Sequence, residues 1–103
     1  MIEHTEGIYN FYVYIITNMT KTVLYTGVTN NLRRRLQEHK SKKNPKSFSA
    51  HYNLRYLVYY ERFGWVQQAI VREKEIKSLS RKGKLELIKD FNPYFDFLNK
   101  SFE

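Results

Sequence analysis

Two short runs rich in aromatic and β-branched side chains, residues 11 to 16 and 23 to 28, are parted by the polar stretch Thr17-Asn18-Met19-Thr20-Lys21-Thr22. That alternation predicts a β-hairpin. A tight loop from Asn18 to Lys21 would set Thr17 opposite Thr22, Ile16 opposite Val23 and Tyr14 opposite Tyr25. Thr29 or Asn30 is expected to cap a helix from about Asn31 to His39, with Leu32 and Leu36 one turn apart on its buried side. The Pro-broken basic stretch KSKKNPKSFSAHYN reads as a connector with one helical turn around Ser47 to Tyr52. Residues 54 to 63 form a third strand, and Gly64 breaks the chain before a helix from about Val66 to Leu79. A last helix, capped by Ser80, runs to about Asp90 and stops at Asn92-Pro93. The order ββαβαα predicts an α+β fold with a small antiparallel sheet flanked by helices.

Length and charge narrow the picture. A chain of 103 residues is expected to form one domain, with a core from about residue 11 to 98. The start carries no leader pattern and the longest apolar run, Phe11 to Ile16, is far short of a membrane span, so a soluble protein is expected. The absence of cysteine removes disulfides and thiolate metal sites and suits a cytoplasmic location. Eighteen Lys and Arg against ten Asp and Glu give a formal charge of +8, which favours a polyanionic partner, with nucleic acid the first class to consider.

Candidate chemistry gathers on three elements. Tyr14 and Tyr25, opposite each other in the expected register, read either as ordinary cross-strand packing or as a pair of phenols at a site. Arg35 and His39 are one turn apart beside the Leu32 and Leu36 stripe, so both can reach the sheet edge near Tyr25. On the second helix, Val66, Ala69, Ile70 and Ile76 spread over one side with Glu73 near the middle of the stripe, while Glu75 points the opposite way. A carboxylate facing a core costs several kcal/mol unless paired or bound to a cation, so Glu73 is either half of an ion pair or a metal ligand.

Tyr12-Val13-Tyr14, Tyr25-Thr26-Gly27, Arg35, His39 and Glu73 together resemble the GIY-YIG nuclease domain. The similarity is greatest to its small stand-alone UPF0213 group, relatives of the amino-terminal nuclease domain of the excinuclease C subunit. YTGVTNNLRRRLQEH follows the family pattern in which the last arginine, Arg35 here, is catalytic, and AIVREKEIKSLSR resembles the helix whose glutamate binds metal. Tyr12 stands where the family's first triplet has glycine and Val13 where it has isoleucine. The literal Gly7-Ile8-Tyr9 is expected to be a coincidence of letters, because Tyr9 would have no partner beside Tyr25. A late asparagine contributes to the site in several branches, and the sequence leaves open whether Asn92 takes that place.

The resemblance implies hydrolysis of phosphodiester bonds in DNA, with one Mg²⁺ or Mn²⁺ held by Glu73 and the phosphate clamped by Arg35. Tyr14 is the expected base toward the attacking water, Tyr25 its phosphate-side partner, and His39 a proton donor or phosphate contact. Gly27, Arg33, Lys40, Lys43, Lys77, Arg81 and Lys82 are candidates for nucleic-acid contact, with Lys42, Lys46 and Lys84 as further cations in the same stretches. Single-stranded, flapped or branched DNA met in repair or recombination would be read by backbone and shape, since no base-reading helix is present. Two other readings stand beside this one: a binding module of the same fold that does not cleave, and a scaffold for an acidic protein.

Overall fold

A computed structural model describes residues 10–103 of the chain; the expectation about Tyr9 falls outside the described residues. The elements are β1 (Phe11–Thr17), β2 (Leu24–Thr29), α1 (Leu32–Ser41), the single turn α2 (Phe48–His51), β3 (Tyr56–Phe63), α3 (Val66–Ser78), α4 (Arg81–Phe91) and a 3₁₀ turn at Asn99–Phe102. The three strands form one antiparallel sheet in the order β2-β1-β3, so the expected α+β architecture is present with β1 at its centre.

Both faces of β1 are covered, and residues 13 to 17 are all fully buried. Alternation along the strand sends Val13 and Ile15 to one face, where Ala69 and Ile76 of α3 and Ile88 of α4 pack. Tyr14 and Ile16 point to the other, against Leu32 and Leu36 of α1 and, more peripherally, Leu98 and Phe102. The buried stripe of α3 is narrower than its sequence suggests. Ala69 and Ile76 are buried, but Val66 and Ile70 remain on the exposed margin. Arg72 anchors the helix to β3 through Glu61, Nε to Oε2 at 2.9 Å, and Tyr59 donates its hydroxyl to the same carboxylate oxygen. Glu73, about 100° further round the helix, is thereby turned away from β3.

The hairpin register differs from the expected one by two residues. Tyr14 lies opposite Gly27, Ile16 opposite Tyr25 and Thr17 opposite Leu24. Asn18 is the cause: its Oδ1 accepts from the backbone N–H groups of both Thr22 and Val23, at 2.8 and 3.1 Å, and so stabilises a wider loop than a tight turn would form. Thr17 adds a bond from Oγ1 to the Val23 carbonyl at 2.8 Å. A shift of two preserves the alternation, so Tyr14 and Tyr25 still share a face, now as diagonal neighbours.

Opposite Tyr14, only glycine fits. A Cβ at Gly27 would sit 2.5 Å from the Tyr14 Oη and 2.6 Å from its Cζ. The phenol cannot swing aside without losing its hydrogen bonds to Arg35 and His39. Gly27→Ala is therefore expected to cost about 1–3 kcal/mol of stability through overpacking, read as a lower urea midpoint with an unchanged slope.

The cap of α1 is Asn31, whose side chain accepts from Arg34 N at 3.0 Å; Thr29, expected as a cap, is instead the last residue of β2. β3 starts at Tyr56 rather than residue 54 and carries a bulge where it passes Ile15 and Ile16. The Val58 carbonyl there accepts from Nδ2 of buried Asn92 at 3.1 Å, and Asn92 also bonds both backbone groups of Asp96. Asn92 is thus occupied in tying the carboxy-terminal segment to the sheet. Asn99 does the same at Leu57 N and the Arg55 carbonyl, so this segment covers the free edge of β3.

Candidate active site

The site is built on the face of the sheet that carries Tyr14. Arg35 and His39 project from α1 on the flank next to the buried stripe, as their spacing dictates. Arg35 Nε donates to Tyr14 Oη at 3.3 Å, and its NH1 reaches Glu38 Oε1 at 3.1 Å. His39 Nε2 lies 2.9 Å from the same phenol oxygen. The rings of Tyr14, Tyr25 and His39 form a cluster with centroids 5.8 to 6.4 Å apart.

Donor and acceptor accounting assigns the protons. Arg35 is a permanent donor, so the proton of the buried Tyr14 hydroxyl needs a different acceptor, and His39 Nε2 is the group in reach among the described residues. The imidazole then carries its hydrogen on Nδ1, which faces Ser49 Oγ at 3.0 Å. Ser49 is itself buried and sits 3.2 Å from Ser47 Oγ, the cap of α2. A chain of hydrogen bonds therefore runs from α2 through His39 and Tyr14 to the guanidinium of Arg35. Sequence reading missed Ser49 because nothing local marks a serine ten residues from the histidine it orients.

Burial sets the electrostatics. It pushes the Tyr14 phenol up to about 12, against a smaller opposing effect of the Arg35 hydrogen bond and charge; Tyr25 and the Glu73 carboxylate push further up. Burial, then the Arg35 charge, pulls His39 down to about 4. The hydrogen bond from Arg35 is the main cause holding the Glu38 carboxyl below its usual range.

The His39 shift has a consequence for stability. A histidine with a folded value below its unfolded one near 6.5 stabilises the fold fully at neutral pH and loses that contribution on acidification. The unfolded chain takes up the proton first, so the loss should reach about 2 kcal/mol by pH 5 and level off below pH 4. Urea denaturation between pH 7 and 5 should show this slope in the wild type and lose it in His39→Gln.

Exposure separates the two tyrosines. Tyr14 is 0% exposed and its hydroxyl is engaged twice, so it stands behind the site as a support for Arg35 and His39. Tyr25 is half-buried, and its hydroxyl has no hydrogen-bond partner among the described residues. His39, 7% exposed, has both ring nitrogens already engaged by Tyr14 and Ser49.

Glu73 is largely withdrawn, with 16% of its side chain exposed, and pairs with the more exposed Lys77 at 3.1 Å. Of the two sequence readings, ion pair or metal ligand, the structure shows the ion pair, made by one flexible ammonium. Among the described residues no group of three or more His, Asp or Glu converges as a metal cage. A lone carboxylate suits a hard cation such as Mg²⁺, which keeps several waters and is held by one or two carboxylates together with substrate phosphates.

An open cleft of about 350 Å³ lies beside Arg35 and His39, bordered by Lys42, Lys43 and Asn44. Lys43, which also reaches Glu38 at 3.4 Å, is thus next to the site. Other expected contacts lie elsewhere. Arg33 and Lys40 are on the opposite flank of α1, where Arg33 Nε donates to the Phe102 carbonyl at 3.2 Å, because their angular positions on the helix differ from that of Arg35. Gly27 is buried beneath the Tyr14 ring, Lys77 is on Glu73, and Arg81 and Lys82 are exposed in the first turn of α4. Among the described residues no helix is long and apolar enough to cross a membrane.

Known proteins resemble this chain in sequence. The family model of the GIY-YIG catalytic domain matches residues 10–86, a span that includes both tyrosines, Arg35, His39 and Glu73. A UPF0213 protein of Syntrophus aciditrophicus is 43% identical over 82 residues, covering 80% of this chain and 92% of that one. A UPF0213 protein of Natronomonas pharaonis is 42% identical over 79 residues, with 77% and 91% covered. The solution NMR structure of a UPF0213 protein from Bacillus halodurans is 35% identical, with a TM-score of 0.49 over 78% of this chain and 83% of that one. With the matched span running from the central strand to the middle of α4, the chain belongs to the GIY-YIG family and groups with its UPF0213 members.

Proposed function

We propose that the protein is a divalent-metal-dependent nuclease that hydrolyses phosphodiester bonds of DNA, with low sequence specificity and a preference set by DNA structure, as met in repair or recombination. The observation that carries this reading is the guanidinium of Arg35, aimed by Tyr14 and Glu38 at the mouth of a cationic cleft, next to the unengaged hydroxyl of Tyr25. A planar, permanently charged fork held in place is suited to the equatorial oxygens of a phosphate under attack.

In this scheme the phosphate lies against Arg35, with Lys42 and Lys43 along the flanking backbone. Tyr25 accepts from or donates to the attacking water and fixes its line of approach. Water adds to phosphorus and gives up a proton to solvent, the bond to the leaving sugar oxygen breaks, and that oxygen takes up a proton from solvent. His39 and Ser49 act through Tyr14 by holding Arg35 still. Glu73 would hold Mg²⁺ or Mn²⁺, which when bound supplies positive charge against the phosphoryl and leaving oxygens.

The purified protein should cut single-stranded, flapped or branched DNA when Mg²⁺ or Mn²⁺ is present and stop when a chelator is added, and its binding should weaken steeply with salt. Salt-sensitive binding without cleavage under either metal would instead favour a non-catalytic module of the same fold. Binding that ignores salt would remove nucleic acid altogether.

A further inference from the structure

The α2 turn puts a row of aromatic rings on the surface immediately outside the site. Phe48 is 52% exposed and Tyr52 43% exposed, although both are large apolar side chains on an ordered helical turn. Phe48 is stacked on Tyr25, with centroids 6.3 Å apart and planes at 28°. Tyr52 continues the row at 4.8 Å from Phe48. The turn has reasons to be rigid: Ser47 caps it, Ala50 is buried beneath it, and Ser49 is fixed to His39. Rings held outward on such a base are a surface for something to lie on rather than misplaced core.

What fits them is set by their neighbours. Ser47 and Ser49 of the turn also line the cleft, where Arg35, Lys42 and Lys43 outnumber the Glu38 carboxylate and leave net positive charge for a phosphate backbone. An anion track beside aromatic faces suits a chain that has charged phosphates on one side and flat rings on the other. In a duplex the base faces are occupied by their own stack; only unpaired bases have faces to offer. We infer that Phe48 and Tyr52 form a stacking platform for unpaired nucleobases next to the scissile phosphate, so that single-stranded nucleic acid, or the single-stranded arm of a branched one, is the substrate class. This rests on the nuclease reading for its account of why the platform adjoins Tyr25.

The test is binding measured in chelator, where cleavage plays no part. Fluorescence anisotropy compares a short oligodeoxythymidylate, an oligouridylate and a blunt DNA duplex. Phe48→Ala and Tyr52→Ala should each weaken single-strand binding by about fivefold to a hundredfold, with about a twofold change for duplex. Phe48→Trp, which keeps a ring, should retain it. A walk of single abasic residues along the oligonucleotide should find a position that weakens the wild type and leaves Phe48→Ala unaffected, a coupling that a merely structural role would not produce. Equal losses on duplex and single strand, or an abasic penalty identical in wild type and variant, would overturn the platform. Unchanged binding in both variants would also overturn it and leave the rings to a protein partner. A DNA preference over uridylate, or the reverse, identifies which strand the platform serves. If single strands bind through these rings but no metal supports cleavage, the nuclease proposal fails and the platform stands. If cleavage is metal-dependent and indifferent to Phe48, the platform fails alone.

Discussion

Arg35→Ala is expected to lower the rate of metal-supported cleavage by about a thousandfold or more, the scale on which a single arginine stabilises a phosphoryl transition state. Arg35→Lys should recover little of it. The side chain in place is bonded by Nε to Tyr14 at 3.3 Å and by NH1 to Glu38 at 3.1 Å, which uses the geometry of the planar fork on the protein side and leaves the rest of the group facing the cleft. An ammonium on a flexible stem can keep the charge but cannot make both contacts while pointing a fixed pair of donors at phosphate. Single-turnover rates with saturating protein would place the loss in the chemical step. Retention of within about tenfold of the wild-type rate by Arg35→Ala would remove the residue from the mechanism. Stability should change far less than activity, because the side chain is 40% exposed and its ion pair with Glu38 is of the solvent-screened kind.

Glu73→Gln should have an effect of similar size on cleavage with almost none on folding. The amide keeps the volume of the carboxylate and can still bond to Lys77, whose side chain is 52% exposed and loses little when its partner becomes neutral. The metal would lose a carboxylate that lies within electrostatic reach of Tyr14. Cleavage should fall by about a thousandfold or more and be partly restored by raising Mg²⁺ or Mn²⁺, since weaker ligation is offset by mass action. Titration of Mn²⁺ by its paramagnetic effect on water relaxation gives a readout independent of turnover: one site in the wild type and a much weaker one in the variant. Unchanged Mn²⁺ binding in Glu73→Gln would take the metal away from this carboxylate.

Periodicity carried most of the architecture. The strands, the helices and the stop at Asn92-Pro93 follow from apolar spacing and breakers, and Ser80 caps α4 with its Oγ accepting from Gly83 N at 3.1 Å, as its position before the helix implies. The inward turn of Glu73 also follows from helical geometry alone. The misses share a cause. The hairpin register depended on Asn18 turning its side chain into backbone partners, the bulge at Val58 on a carbonyl met by distant Asn92, and the orientation of His39 on Ser49. Each is a hydrogen bond from a side chain whose partner no spacing rule specifies. The different depths of Tyr14 and Tyr25 belong with them, since depth in the core is a property of the assembled sheet. The corrected register also accounts for the glycine of the second triplet, which the expected pairing left without a reason: it is the floor under the Tyr14 ring.

The depth of Tyr14 has a bearing on heredity as well as on chemistry. A side chain that fills the core of the central strand and also braces the arginine at the surface is under two kinds of selection at one codon. In a mutational scan scored separately for abundance and for cleavage, codon 14 should be depleted in both assays, with phenylalanine as the replacement that divides them: it keeps the ring in the core and drops the hydroxyl. Codons 35 and 73 should be depleted in the cleavage assay alone. The departures from the family's first triplet, Tyr12 and Val13, fall at its first two letters, while its last letter is held by the fold before the reaction is ever tested.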